Sequence, residues 1–382
     1  MNKSVEAIIA KTFSDIADGL ETGSFGGSPR ICVTGLGSEH GEKTVMEGVL
    51  LAARGGAKIT YIGTTEADGV TTIKATTEAE AHSLMEKMLD AGEADGGVTM
   101  HYPFPIGVAT VGRAVTPAAG REMYIATTTG AASADRVEGM VLGAVYGTIA
   151  AKSCGLAKPS IGILNLDGAR QAEIALRRLR ENGYDMTFAE SSRAGGGCVM
   201  RGNDVLLGTP DVLVCDSLTG NILIKILSSY TSGGAYETTG YGYGPGIGEK
   251  MDKMALIVSR ASGAPVIAGA IAYATQLAKG NLREVARAEF AKVKRAGLME
   301  MRKIMRENVP ARNEKIEIPP EETVTEEISG IDVMDIENAA TKLWEVGIFA
   351  RTGMGCTGPV VLVSEKNHER AAVCLRQGGF IA

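Results

Sequence analysis

Short apolar runs that end in a tight turn and pass straight into a helix-periodic stretch constrain this chain more than any other feature. Residues 30–34 lead into the turn Gly35-Leu36-Gly37, and a helical pattern follows over 44–54. Residues 57–63 repeat the strand pattern before a helix at 78–90. The rhythm resumes with strands at 123–126, 160–165 and 211–216, followed by helices at 133–152, 168–182 and 220–228. Strands that alternate with helices pair in parallel through right-handed crossovers, with helices covering both faces. The expected fold is therefore α/β, a three-layer α/β/α sandwich on a mainly parallel sheet.

The rest of the chain divides around that body. Residues 1–28 read as an N-terminal amphipathic helix, because Lys3, Glu6, Lys11, Asp15 and Asp18 interrupt the apolar positions; an export signal would carry an unbroken apolar run. The main domain spans 29–308. Within it, 263–278 reads as a buried strand and helix, and 250–262 and 281–308 as long helices. Residues 309–330 are rich in Pro and Glu and suit an extended linker. A small C-terminal α/β subdomain, 331–382, is expected to hold a helix at 335–346, a glycine loop, a strand at 360–363 and a helix at 367–377. Gly139, Gly143 and Gly147 recur at spacing four on one helix face, which suits close packing inside the domain or at a homodimer seam.

A net charge of -6 supplies no basic field for a nucleic-acid backbone, so any anionic substrate must be held by local donors and a few placed cations. The longest uncharged apolar stretch is too short and too rich in Gly and Ala for a membrane span. A cytoplasmic protein is expected. The six cysteines show no CxxC or Cys/His spacing, so neither a disulfide framework nor a zinc site is indicated.

Three segments could carry chemistry. In RTGMGCTGP, residues 351–359, Cys356 is flanked by Gly355 and by Thr357 and Gly358, a backbone that can turn sharply and leave the sulfur uncovered. Loop N–H groups there could lower the thiol's pKa or hold an oxyanion, with Arg351 nearby; the alternative is a small filler in a tight turn. Cys198 follows three glycines in a similar context, whereas Cys32, Cys215 and Cys374 fall inside strand or helix patterns and read as packing. The run Thr127-Thr128-Thr129-Gly130-Ala131, between a strand and a helix, is either an anion site or ordinary N-capping. At the end of the 211–216 strand, Thr219, Gly220 and Asn221, with Lys225 one turn on, could grip phosphate, while Asp216 could simply cap the helix. The turn from Gly35 to His40 is a fourth candidate, but it lacks the third glycine of a dinucleotide fingerprint and gives little support to NAD binding.

These segments, in this order, resemble the PlsX-type phosphate acyltransferases over about residues 30–280. Residues 211–225, DVLVCDSLTGNILIK, are similar to that family's Asp-to-Lys strand–helix signature, and Thr128-Thr129-Gly130-Ala131 stands where the family has an Asn-Thr-Gly-Ala turn. A closer resemblance, over nearly the whole chain, is to the alpha subunits of component C of glycine/sarcosine/betaine reductase complexes, which carry a tail of this kind with an active-site cysteine matched here by Cys356. That resemblance implies an acetyl thioester on Cys356 released as acetyl phosphate. It implies phosphate held by Thr129, Gly130, Thr219, Gly220, Asn221 and Lys225, an oxyanion loop of Gly355, Thr357 and Gly358, and no cofactor beyond phosphate as co-substrate. The partners it implies are the condensing-enzyme-like beta subunit of component C and the selenoprotein component. Two rival readings remain: direct transfer from an acyl-carrier thioester to phosphate, as in PlsX itself, and a non-catalytic scaffold for the beta subunit.

Overall fold

The computed structural model describes residues 28–193, 197–307, 318–331, 335–355 and 358–381, together with 12, 13 and 16, which are helical. The remainder of the expected N-terminal helix lies outside the described residues.

Among the described residues, 12 strands form one sheet. In chain order these are β1 (Arg30–Thr34), β2 (Lys58–Gly63), β3 (Thr71–Lys74), β4 (Gly96–Thr99), β5 (Val108–Val115), β6 (Glu122–Ala131), β7 (Ser160–Leu164), β8 (Thr187–Phe188), β9 (Val199–Met200), β10 (Val212–Val214), β11 (Gly244–Ile247) and β12 (Ala255–Ile257). Their spatial order is β3-β2-β1-β4-β12-β11-β5-β6-β10-β7-β8, with β9 also on β7. The sheet consists of two parallel blocks. One block is β3, β2, β1, β4 and β12, and the other is β6, β10, β7, β8 and β9. They run in opposite directions and are joined through the antiparallel pairs β12/β11, β11/β5 and β5/β6.

Helices cover both faces. On one side, α1 (Gly41–Arg54), α3 (Arg136–Ser153), α4 (Ala169–Glu181), α7 (Ala264–Lys279), α8 (Leu282–Arg295) and α9 (Leu298–Glu307) bury a continuous core against the sheet. On the other side, α2 (Glu78–Asp90) covers β1 and β2, and α5 (Gly202–Leu207) and α6 (Ser217–Ser229) cover the centre. The starts of three helices follow from their caps. Thr77, Asp135 and Asp216 each accept the N–H three residues on, from Glu80, Glu138 and Thr219, which satisfies an orphan donor of the first turn. The three-layer α/β/α architecture is as expected, and the central antiparallel strands are an addition to it.

The α3 glycines pack inwards. A Cβ on Gly147 would stand 2.3 Å from Val212 Cγ1, and one on Gly143 3.4 Å from the Ala126 carbonyl, so this face is spent on β6 and β10 and not on a dimer seam. Three local expectations are corrected. Residues 250–262 hold β12 and turns instead of a helix, because this segment completes the sheet centre beside β4. Residues 263–278 form one helix, α7, with Pro265 tolerated in its first turn. The 281–308 stretch breaks at Gly297, whose φ of +94 is a left-handed conformation that glycine adopts without penalty.

The tail is built as α10 (Ile336–Glu345), β14 (Ala350–Gly355), β15 (Gly358–Val363) and α11 (His368–Gln377) around its own apolar core. Two features differ from expectation. The 309–330 segment contributes β13 (Glu326–Ile328), which pairs with β15, and most of the glycine loop is strand β14. A short segment of the body grips the tail, and β14 also lies against β6. Met354 N–H donates to the Phe104 carbonyl (3.3 Å), Pro105 bridges Gly353, and Ile106 packs on the tail core while Phe104 is buried in the main one.

Candidate functional site

The site is assembled where β6 and β10 end and α6 begins. The threonine run is part of β6 and not a turn before a helix. β6 continues to Ala131 by pairing with β5, and Asp135, not a threonine, caps α3. Thr128 is fully buried: its hydroxyl meets Thr110 Oγ1 at 2.7 Å and donates to the Tyr243 carbonyl at 2.7 Å. Thr110 sits at the register shift between Ala109 and Val111, and its hydroxyl also donates to the Thr129 carbonyl at 3.2 Å. Gly130 is paired with Ala109 at φ +76, and a Cβ there would lie 2.6 Å from the Val108 carbonyl, so the hairpin admits no side chain. Thr129, half-buried, is the member of the run with access to solvent. The peptide between Ala126 and Thr127 is cis.

Helix α6 is pressed against this strand. A Cβ on Gly220 would fall 1.7 Å from the Thr127 carbonyl oxygen, a contact that only glycine permits. Asn221 Nδ2 donates to the Thr128 carbonyl (3.2 Å), so its side chain ties helix to strand. Thr219's main-chain N–H is taken by the Asp216 carboxylate (2.8 Å), which makes Asp216 the cap that one reading foresaw.

Lys225, one turn beyond Asn221, faces the other parallel block. Its Nζ lies 3.2 Å from Ser259 Oγ and 3.5 Å from Glu237 Oε1, with the Tyr243 ring centroid 5.8 Å away. Burial works against its charge, but Tyr243 and Glu237 outweigh that and hold its pKa above the ordinary lysine value. Glu237 is buried and accepts from Ser262 (2.8 Å). Around the same strand ends, Arg260 donates to the Gly37 carbonyl (2.9 Å) and pairs with Glu78 (2.8 Å), and His40 Nε2 lies 3.2 Å from the Ala261 carbonyl. Thr110, Glu237, Tyr243, Ser259 and Arg260 were not singled out from sequence. The Ser259–Ser262 turn after β12 could have been recognised had 250–262 been read as a strand.

Cys356 and Thr357 lie outside the described residues. Their neighbours are placed: Gly355 pairs with Gly358 across β14 and β15, and β14 lies against β6. The location is set by Gly107, whose N–H donates to the Ala131 carbonyl (2.8 Å) two residues after Pro105 meets Gly353. β14, the strand that leads into Cys356, is thus held close to the Ala131 end of β6. Arg351 is engaged elsewhere, paired with Glu321 and 5.7 Å from the Phe349 ring. Among the other cysteines, Cys198 is buried and its thiol is pushed up to about 11 by burial and by Glu173. Burial lifts Cys32 to about 12 and Cys215 further still. Among the described residues, no group of three or more His, Cys, Asp and Glu is placed to hold a metal, and no helix is long and apolar enough to cross a membrane.

A family model described as "Fatty acid synthesis protein" matches residues 29–362, which takes in the whole sheet, α6 and all but the last residue of β15. The chain belongs to that family. The match runs beyond the 30–280 span that the sequence resemblance suggested. The chain is also 52% identical over 382 residues, 99% of each chain, to the glycine/sarcosine/betaine reductase complex component C subunit alpha of Peptoclostridium acidaminophilum. Shorter similarities link it to phosphate acyltransferases. That of Prochlorococcus marinus subsp. pastoris is 40% identical over 88 residues, 22% of this chain and 18% of that one. That of Phenylobacterium zucineum is 32% identical over 96 residues, 24% of each. Among solved structures, the EutD phosphotransacetylase of Staphylococcus aureus aligns over 70% of this chain and 98% of its own with a TM-score of 0.44 and 14% identity.

Proposed function

We propose that this family member transfers an acetyl group from a thioester on Cys356 to phosphate, giving acetyl phosphate, as the alpha subunit of a reductase component C. The observation that carries the reading is the packing of β14, the strand that leads into Cys356, against β6, which carries Thr129 and Gly130. The full-length similarity to a component C alpha subunit and the local similarity to phosphate acyltransferases support it.

In this scheme the Cys356 thiolate takes the acetyl group from a donor thioester, and the donor leaves as its own thiolate. A phosphate oxygen then attacks the acetyl carbon. The tetrahedral oxyanion collapses, the C–S bond breaks, and its electron pair returns to sulfur, which regenerates the Cys356 thiolate. Lys225 and the Ser259 hydroxyl supply the cation and donor for phosphate, and Thr129 lines the approach from β6. Asn221 acts by locking α6 to β6 through the Thr128 carbonyl, which fixes where the helix holds Lys225 one turn further on. Main-chain N–H groups around Gly355 and Gly358 would bear on the oxyanion, an effect typically worth about 3 kcal/mol per donor. Holding phosphate against the acyl carbon contributes roughly 7 kcal/mol or more. No cofactor beyond phosphate enters this scheme, and the donor is a protein partner of the same complex.

The test uses the intact chain and an isotopically labelled acetyl thioester. The expected result is a labelled Cys356 peptide by mass spectrometry, followed by phosphate-dependent loss of the label as acetyl phosphate. Cys356→Ala protein that forms acetyl phosphate at the normal rate would remove the covalent step in favour of direct transfer. A loaded chain that phosphate does not discharge would leave only a scaffold role.

A further inference from the structure

We infer, on the reading that Lys225 and Ser259 grip phosphate, that the Glu237 carboxylate selects the anion by accepting a hydrogen bond from a proton the anion itself carries. The ligand class is then hydrogen phosphate and its arsenate analogue, with sulfate rejected. Glu237 is fixed in place. Its N–H donates to the Ala261 carbonyl (3.1 Å), its carbonyl accepts the Gly263 N–H (2.8 Å), and it bridges Ser262 in parallel. Its side chain is only 7% exposed, and it accepts from the fully buried Ser262 hydroxyl through Oε2 at 2.8 Å. The other oxygen, Oε1, is buried too and accepts no hydrogen bond among the described residues. Lys225 Nζ stands 3.5 Å from it, beyond ordinary hydrogen-bond length, and donates instead to Ser259 Oγ at 3.2 Å. A buried carboxylate is tolerated when it is both paired and hydrogen-bonded. Oε1 has a counter-charge but no donor, and it faces the cation and hydroxyl that would hold the ligand.

The lysine is the movable partner. Half-exposed on a flexible four-carbon stem, it can turn towards an incoming anion, whereas Glu237 stays where the turn after β12 holds it. Drawing Nζ onto the anion uncovers Oε1 and weakens its ion pair. A dianion without a proton then meets a buried carboxylate with like charge and no donor between them, which is the costly arrangement. A dianion with one proton donates it to Oε1, while its remaining oxygens accept from Lys225 and Ser259. At pH 8 hydrogen phosphate and hydrogen arsenate carry that proton; sulfate, of the same shape and charge, does not. Sites built to hydrogen-bond a ligand hydroxyl reject the analogue lacking it far more strongly than an apolar pocket rejects a missing methylene.

Isothermal titration of the intact chain at pH 8 with phosphate, sulfate and monofluorophosphate is the test. Monofluorophosphate repeats the shape and double charge of hydrogen phosphate with fluorine in place of the hydroxyl, so it isolates the proton. Phosphate is expected to bind at least roughly 100-fold more tightly than either of the others. In Glu237→Gln, Ser262 keeps the amide oxygen and the amide N–H faces the anion. Phosphate and sulfate should then bind within about tenfold of each other, whereas loss of a merely structural residue would weaken both alike and keep the ratio. A wild type that binds sulfate or monofluorophosphate within about tenfold of phosphate refutes the role of Glu237 and leaves the phosphate reading standing. That comparison decides even if Glu237→Gln does not fold. A folded Glu237→Gln protein that keeps the roughly 100-fold ratio refutes the role as well. A wild type that binds none of these anions removes the phosphate grip and the part of Glu237 in it together.

Discussion

Replacing Gly220 by alanine tests the closest contact in the site, because two known effects act on it with opposite signs. In an exposed helix, glycine to alanine stabilises by about 1 kcal/mol through the lost backbone freedom of glycine. At Gly220 the new methyl carbon would stand 1.7 Å from the Thr127 carbonyl oxygen and 2.8 Å from its carbon, both main-chain atoms that cannot rotate aside. Overpacking a core typically costs about 1–3 kcal/mol, and a clash with backbone belongs at the top of that range. Relief requires α6 to move off β6, which breaks the 3.2 Å bond from Asn221 to Thr128 and forfeits about 1 kcal/mol more. The net expectation is a loss of roughly 3 kcal/mol. Gly139→Ala is the internal control. It lies in α3 with ordinary φ and no neighbour nearer than 3.9 Å, so it should gain up to about 1 kcal/mol. Urea denaturation midpoints at unchanged slope measure both. A Gly220→Ala protein as stable as wild type would refute the close approach of helix to strand on which the site's geometry rests.

Lys225 keeps its charge to high pH. Its folded pKa is raised, so the stability it contributes is fully present below the unfolded value near 10.5 and is lost only as pH rises through the higher folded value. The stability difference between wild type and Lys225→Met should therefore be flat from pH 6 to about 9 and shrink only above about pH 10.5, as read by urea midpoints across pH. Asp204 acts at the other end of the scale. Burial opposes its charge, yet the N–H groups of Arg201 and Ser192 and the hydroxyls of Ser191 and Ser192 hold its pKa down at about 2. Its contribution is present above an unfolded value of about 3.8 and disappears as pH falls through about 2; Asp204→Asn should be destabilised at neutral pH and show a flatter acid limb. Cys32, Cys198 and Cys215 should resist iodoacetamide at pH 7.5 in the native protein and react after unfolding, with peptide mass spectrometry as the readout. Native labelling of Cys215 would contradict its burial.

The outer strands and their helices were legible because they obey the periodicities that sequence displays: α2 runs over Glu78–Asp90, the span the pattern gives. The centre of the sheet was not. β4 reads Gly-Gly-Val-Thr and β11 reads Gly-Pro-Gly-Ile, compositions with little strand propensity. They are strands because neighbours crowd them: a Cβ on Gly244 would stand 1.8 Å from the Val111 carbonyl, and one on Gly246 2.3 Å from the Phe104 ring. Such glycines answer to tertiary contacts that no local window contains. For the same reason the threonine run passed for a turn. Its extension as β6 depends on pairing with β5, which the sequence alone does not announce. Of the candidate site, Asn221 and Lys225 were visible as polar groups after a strand. Their partners Ser259 and Thr128 are brought to them from 34 and 93 residues away.

Phe104 and Ile106 are two positions apart, yet each is anchored in a different apolar interior, one in the body and one in the tail. The grip between these parts therefore does not rely on the covalent connection through residues 308–317. Split into two polypeptides there, the protein should still hold together, and a tail supplied as a separate fragment should find its seat. Swapping in tails from related proteins then becomes a route to new acyl chemistry on an unchanged body.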